Sequence, residues 1–429
     1  MTAVSRENMN DGLTMARALP LAKRRGRRHK DFFTRNPNRF LSMIDFASSD
    51  LIVVGAGFYG MTVAERAASE GFRVIVLDRR DHVGGNAYTY EDARTGVEIH
   101  KYGPHLFHTN SREIVDYLSR FTEWTPYEHR VWTTVGGKVF PLPINLGTIC
   151  LFAGRLLSPA QARALVAESA GGFADPQNLE EKAISLIGRP LYDAFIRGYT
   201  QKQWQTDPKL LPADIITRLP VRYDFDTRYF SDAFQLLPTH GYTAIFEAMR
   251  RAGKNIDLHL GVDWFDVRAA AAGKPVVYTG PIDRYFDERL GALGWRTIDF
   301  ALETHAGDFQ GCAVMNYADV EIPWTRISEF RHFYPQRPCG PETVIAREFS
   351  RAAAPGDEPY YPVNLAQDRT RYAGYRALAA RETDVLFGGR LGSYRYLDMH
   401  QAIGAALRAW ERKLRPRLTA GAPFETLED

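Results

Sequence analysis

The chain has 429 residues, 45% hydrophobic and 24% charged, a globular composition that excludes a disordered or collagen-like chain. Its length predicts two or three domains. The net charge of +3 is uneven: residues 1–48 carry ten Lys/Arg against four Asp/Glu, so the remaining 381 residues sum to −3, a body too neutral to suggest nucleic-acid binding.

In chain order, residues 1–48 read as a basic, disordered leader. The Lys23–Arg28 cluster is followed by no apolar stretch, so it is not a secretory signal. Leu51–Val54 is a short apolar β-branched run and predicts a buried parallel strand. Gly55-Ala56-Gly57-Phe58-Tyr59-Gly60 follows, then a predicted helix Met61–Glu70 stopped by Gly71, then a second strand ending at Asp78. Strand, GxGxxG, helix, strand and acid together make a dinucleotide site. The glycines let backbone approach a pyrophosphate at a helix N-terminus, and Asp78 is placed for a ribose.

A second glycine pair, Gly84-Gly85, comes directly after the second strand. It resembles the extension of FAD proteins of the glutathione-reductase-like group. A far strand (Val385–Phe387) with a glycine turn, and a helix over Asp398–Arg412, are placed to close the same pocket. Helical spacing covers Ser158–Ala170, Glu180–Ile187 and Leu191–Tyr199. Aromatic and β-branched runs at Arg296–Leu302, Ala313–Tyr317 and Thr343–Phe349 predict antiparallel sheet.

The expected fold class is α/β, with a Rossmann-like FAD-binding domain, a helical insertion and an antiparallel sheet domain. The expected boundaries are 49–125, 236–282 and 375–415 for a discontinuous FAD domain, and 143–218 for a helical substrate or lid domain. Segments 126–142, 219–235 and 283–374 form the sheet domain, and 416–429 a tail.

Cys150, Cys312 and Cys339 are an odd number without a CxxC pair. They make neither a disulfide framework nor a zinc site, and a cytoplasmic location is the simplest expectation. The longest uncharged runs, 51–64 and 139–154, fall short of the roughly 18–20 residues of a bilayer span. His105 and His108 suggest an HxxH metal pair, but on an extended segment they would point apart, so no metal is expected.

Several blocks resemble the UDP-galactopyranose mutase family: Lys101–Thr109 (KYGPHLFHT), Gly198–Trp204 (GYTQKQW), Thr279–Asp283 (TGPID), Pro323–Ile327 (PWTRI) and Gly389–Met399. The resemblance spans roughly residues 50–410. It implies an enzyme that interconverts UDP-galactopyranose and UDP-galactofuranose with reduced FAD, through covalent attack of flavin N5 on the anomeric carbon, without net redox change. NAD(P)H or another external reductant is implied, as is a role in cell-envelope polysaccharide synthesis. Family members are often homodimers.

Cleaving a glycosyl–phosphate bond builds charge on the leaving diphosphate, which guanidinium groups match. The resemblance assigns that role to Arg218 and Arg326. It implies further substrate contacts from Tyr199, Thr200, Trp204, Tyr229, Tyr361 and Tyr396, with Tyr361 preferred over Tyr360 on spacing. For the cofactor it implies Gly55, Gly57, Phe58, Gly60, Asp78, Arg79, Gly84, Gly85, Asn86, His105, His108, Arg390, Leu397, Asp398 and Met399. Trp324 and the 329–333 stretch depart from the family and are candidates for altered sugar specificity. The competing readings are a flavin oxidoreductase of the amine-oxidase or protoporphyrinogen-oxidase type and a non-catalytic nucleotide-sugar binder.

Overall fold

The computed structural model describes residues 44–216, 220–338, 340–421 and Phe424. Residues 1–43 of the expected leader, Arg218, Cys339 and half of the expected tail lie outside the described residues; Phe46, expected in the leader, is buried, and the expected tail begins within a helix, Arg415–Ala420.

The elements that build the site run as follows. First come β1 (Leu51–Val54), α1 (Phe58–Ser69), β2 (Val74–Asp78), β3 (Phe107–Thr109), β4 (Trp124–Pro126), β5 (Val131–Val135) and β6 (Lys138–Leu142). The helices α2 (Leu146–Ala153), α3 (Pro159–Glu168), α4 (Leu179–Ile187) and α5 (Gly198–Trp204) follow. Then come β7 (Phe234–Pro238), α6 (Gly241–Ala252), β8 (Ile256–Leu260), β9 (Val276–Tyr278), β10 (Trp295–Ala306), β11 (Val314–Tyr317) and β12 (Arg326–Glu329). The chain continues with β13 (Glu342–Ala352), β14 (Tyr361–Pro362), α7 (Ala366–Ala379), β15 (Val385–Phe387) and α8 (Met399–Ala409).

Five strands make a parallel sheet in the order β8-β2-β1-β9-β15. Its strands are drawn from both ends and the middle of the chain. All residues of β2 are buried, and ten of the twelve in α1. A helix covered this completely must be enclosed by other elements, and α1 packs against α6 and α8.

The second sheet has seven strands in the order β14-β10-β13-β12-β11-β5-β6. It differs from the expected antiparallel sheet in one pair, because β11 runs parallel to β5. The chain passes through the whole helical insertion between them, and a long crossover permits a parallel pairing. Residues 219–235, expected with that sheet, end in β7, which pairs with β3 and β4 instead. Register sets one cross-strand row: Thr133, Asn316, Arg326, Glu348 and Phe300 stand opposite one another on β5, β11, β12, β13 and β10. Opposed residues share a face, so four polar side chains, Thr133, Asn316, Arg326 and Glu348, line up on one side of the sheet.

The insertion has its own core, which includes Ile149, Ala162, Leu179, Ile184 and Phe195. Asn145, Ser158 and Asn178 cap α2, α3 and α4 through their side chains. The predicted helix Leu191–Tyr199 is longer, and six of its residues, Tyr192–Arg197, form a wide π-helical turn that leads into α5.

Candidate active site

Two adjoining clefts share Asn86, His105, Arg390 and Met399. The first, about 1200 Å³ with its open mouth, is lined by both glycine turns, Asp78, Arg79, Thr279, Gly389 and Leu397. Gly55 has φ +110°, and a Cβ there would stand 2.0 Å from Thr279 Oγ1. A Cβ on Gly60 would stand 1.9 Å from the Gly55 carbonyl oxygen, and one on Gly85 3.2 Å from the Gly57 Cα. The two glycine turns therefore touch backbone to backbone, and no side chain caps α1 at Gly57. A helix start without a side-chain cap favours an anion at its first N–H groups.

Asp78 is held at the strand end: one carboxylate oxygen accepts from Ala56 N at 2.8 Å, the other from Arg80 N at 2.9 Å. Arg79 and Arg80 each pair with Glu358 at 2.7 Å, and Arg80 also donates to Asn86 Oδ1 at 2.8 Å. Burial works to raise the Glu358 pKa, but the two guanidiniums outweigh it and hold the carboxyl below its ordinary value. A glycine cradle with no room for Cβ atoms, a strand-end acid and an open helix N-terminus are the donor set for FAD. The residues present fit that group.

The second cleft is lined by Tyr229, Asn316, Arg326, Glu348, Tyr361 and Tyr396, among others. Arg326 donates to the Tyr199 hydroxyl at 2.8 Å, and its Nε lies 3.3 Å from Glu348 Oε2. Burial opposes the Arg326 charge, but Tyr199 and Glu348 beside it raise its pKa above the ordinary value, so it stays a cation. Tyr361 stacks on Tyr396, ring centroids 5.7 Å apart, and Arg390 lies 4.7 Å from the Tyr396 ring centroid. Arg390 also donates to the Leu397 carbonyl at 2.6 Å. Tyr360 lines the cleft too, but it is buried and turned toward Tyr102.

The predicted residues divide unevenly. Gly55, Gly57, Phe58, Gly60, Asp78, Arg79, Gly84, Gly85, Asn86, His105, Arg390, Leu397 and Met399 line the first cleft. His108 and Asp398 line the second. His108 stacks on Phe230 at 3.7 Å, and its Nδ1 meets Asp232 Oδ2 at 2.6 Å. His105 Nδ1 instead meets the Gly103 carbonyl, 2.8 Å away, so the two histidines do not converge. His108, Asp398 and His400 hold ligand-type atoms within 4.8 Å of one another.

Tyr199 reaches Arg326 and a third cavity that shares Tyr229 and Asn316 with the second cleft. Thr200 is buried, and Trp204 packs against the insertion core; neither lines these three cavities. Trp324 is a packing residue: it lies edge-on to Tyr317 and Phe349, under the Arg347 guanidinium.

Sequence reasoning missed Asn316, Glu348 and Lys202. The buried Asn316 Oδ1 has no partner in the protein, and an orphaned buried acceptor calls for a ligand or water. Asn316 carried a signal, as the one amide inside the predicted strand Ala313–Tyr317; Glu348, next to Arg347 in its strand, carried none.

The family model for UDP-galactopyranose mutase matches residues 194–396, and one for an NAD(P)-binding Rossmann-like domain matches residues 53–121. A probable UDP-galactopyranose mutase of Klebsiella pneumoniae is 43% identical over 84% of this chain and 94% of its own length. The dTDP-fucopyranose mutase of Escherichia coli is 38% identical over 83% of this chain and 96% of its own. A crystal structure of a reduced UDP-galactopyranose mutase shares the fold with TM-score 0.66 at 16% identity, over 88% of this chain and 98% of that one. The chain belongs to the UDP-galactopyranose mutase family and is an FAD-dependent isomerase.

Proposed function

We propose that this enzyme interconverts UDP-galactopyranose and UDP-galactofuranose by covalent catalysis, with no net redox change. Held by the two glycine turns and Asp78 in the first cleft, reduced FAD would supply the nucleophile, its N5. The chain's own residues bind, orient and stabilise. Arg326 takes charge on the departing diphosphate, as a preorganised cation that needs no rearrangement when the bond breaks. Tyr199 and Glu348 hold its fork in place. Tyr229, Tyr361 and Tyr396 offer neutral donors around the same oxygens, and Arg218 is assigned to the diphosphate with Arg326. Asn316, at the junction of the second and third cavities, offers its unpartnered carbonyl to a substrate donor. His105 stays neutral because burial depresses its pKa to about 4, so it brings no charge beside the cofactor.

The observation that carries this reading is the polar row Asn316–Arg326–Glu348, set on one sheet face and joined to the FAD cleft at Arg390. An oxidoreductase has no need of a guanidinium held there. The test is turnover of UDP-galactofuranose after one dithionite reduction. Many products per reduction support the reading, and one reductant consumed per product overturns it. The 38% identity to a dTDP-fucopyranose mutase favours one competing substrate, which lacks the sugar 6-hydroxyl and the ribose 2′-hydroxyl. Run side by side, UDP-galactofuranose should have the higher kcat/KM. No helix among the described residues is long and apolar enough to cross a membrane. A cytoplasmic, homodimeric enzyme completes the proposal, and fractionation and sedimentation test it.

A further inference from the structure

The GYTQKQW block contains a lysine that touches neither cleft. Lys202 Nζ donates to four backbone carbonyls of one loop: Tyr317 at 2.6 Å, Asp319 at 2.8 Å, Ile322 at 3.0 Å and Trp324 at 3.1 Å. That loop leads into β12, whose first residue is Arg326. The next bond along the chain, Thr325 N to the Glu348 carbonyl at 2.9 Å, starts the strand pairing. One turn before Lys202, Gly198 touches the same loop: a Cβ there would stand 2.3 Å from the Ala318 carbonyl oxygen. Between them, Tyr199 accepts from Arg326 itself. One short helix thus grips both the guanidinium and the backbone that presents it.

We propose that Lys202 is a positioning residue for the reaction: it locks the 317–324 loop onto α5 and so fixes where Arg326 meets the diphosphate. The geometry is that of a coordinated cation, three N–H donors among four converging carbonyls. A neutral side chain cannot supply it, and the flat guanidinium fork of arginine has the wrong shape. Burial lowers the lysine pKa to about 8, with Asp319 and Glu321 opposing, so desolvation is accepted at this point. A charge taken out of water is costly unless its hydrogen bonds are satisfied, and here the loop carbonyls satisfy them. This proposal rests on Arg326 holding the diphosphate.

The test is a double-mutant cycle on the FAD-loaded enzyme, read as the dissociation constant for UDP. Lys202→Met should weaken UDP at least tenfold in the native background and less than twofold in an Arg326→Ala background, with FAD content unchanged. Gly198→Ala, which forces α5 off the loop, should repeat the pattern and serves if Lys202→Met does not load FAD. Equal losses in both backgrounds, or no loss in the native one, overturn the proposal alone. An Arg326→Ala enzyme that binds UDP normally overturns the diphosphate reading and this proposal with it.

Discussion

Arg326 shows how much one residue owes to its neighbours. The PWTRI block marks it by resemblance, but its partners come from elsewhere: Tyr199 from α5 and Glu348 from β13. Arg326→Ala should lower kcat by a hundredfold to a thousandfold while FAD stays bound, because losing one preorganised donor costs about 3–4 kcal/mol. Arg326→Lys should recover little, since a point charge cannot match two phosphate oxygens. Steady-state rates beside flavin absorbance check both, and near-native turnover in the alanine variant removes Arg326 from the site. Glu348 and Asn316 were hidden at this scale. A polar residue within an apolar run signals something, but only strand register brings Asn316, Arg326 and Glu348 into one row.

Among the elements, α1 and the strands around it were legible from glycine spacing and apolar runs, because a parallel strand buried on both faces has a distinctive composition. The insertion helices α3 and α4 were legible from their helical spacing, whereas α2 lay inside an uncharged run that was read only as too short for a bilayer span. The π-helical turn at Tyr192–Arg197 was not, because widening a turn reflects what the helix packs against. The connection between α3 and α4 is exposed at Gly171, Gly172 and Phe173, and the insertion is proposed as a lid. Limited chymotrypsin digestion should cut at Phe173, and UDP should slow that cut. Identical digestion with and without UDP removes the lid. Gly188 is a poor hinge: a Cβ there would stand 2.2 Å from Ser169 Oγ, so it is packed in place.

At the scale of the molecule, the two clefts meet at Asn86, His105, Arg390 and Met399, which the fold brings together from both ends of the chain. The purified enzyme should be yellow and should release its flavin on heat denaturation, since the FAD cleft holds the group through backbone and fit rather than a bond. Colour retained in the pellet contradicts this. Burial holds three histidines neutral: His100 near pKa 3, His105 near 4 and His129 near 3. The unfolded chain protonates each near 6.5, so in this window it binds more protons than the folded one. Their contribution is complete above pH 6.5 and is lost as pH falls through the folded values, at about 1.4 kcal/mol per unit of depression for each group. Urea midpoints should therefore drop from pH 7 to pH 5 more steeply than from pH 8.5 to pH 7. A flat profile below pH 6.5 contradicts the burial of these rings as neutral groups.

The dinucleotide turn, the second glycine pair and the family blocks could be read from the sequence alone, because each is a local motif whose residues act within one turn of chain. The mixed pairing of β11 with β5, the docking of β7 on β3 and β4, and the polar row across the second sheet were decided by tertiary structure. Each depends on which distant strands become neighbours, and a one-residue change of register would turn Asn316 and Glu348 to the opposite face. Lys202 belongs to both. Its motif is local, but the four carbonyls that define its role lie more than a hundred residues away.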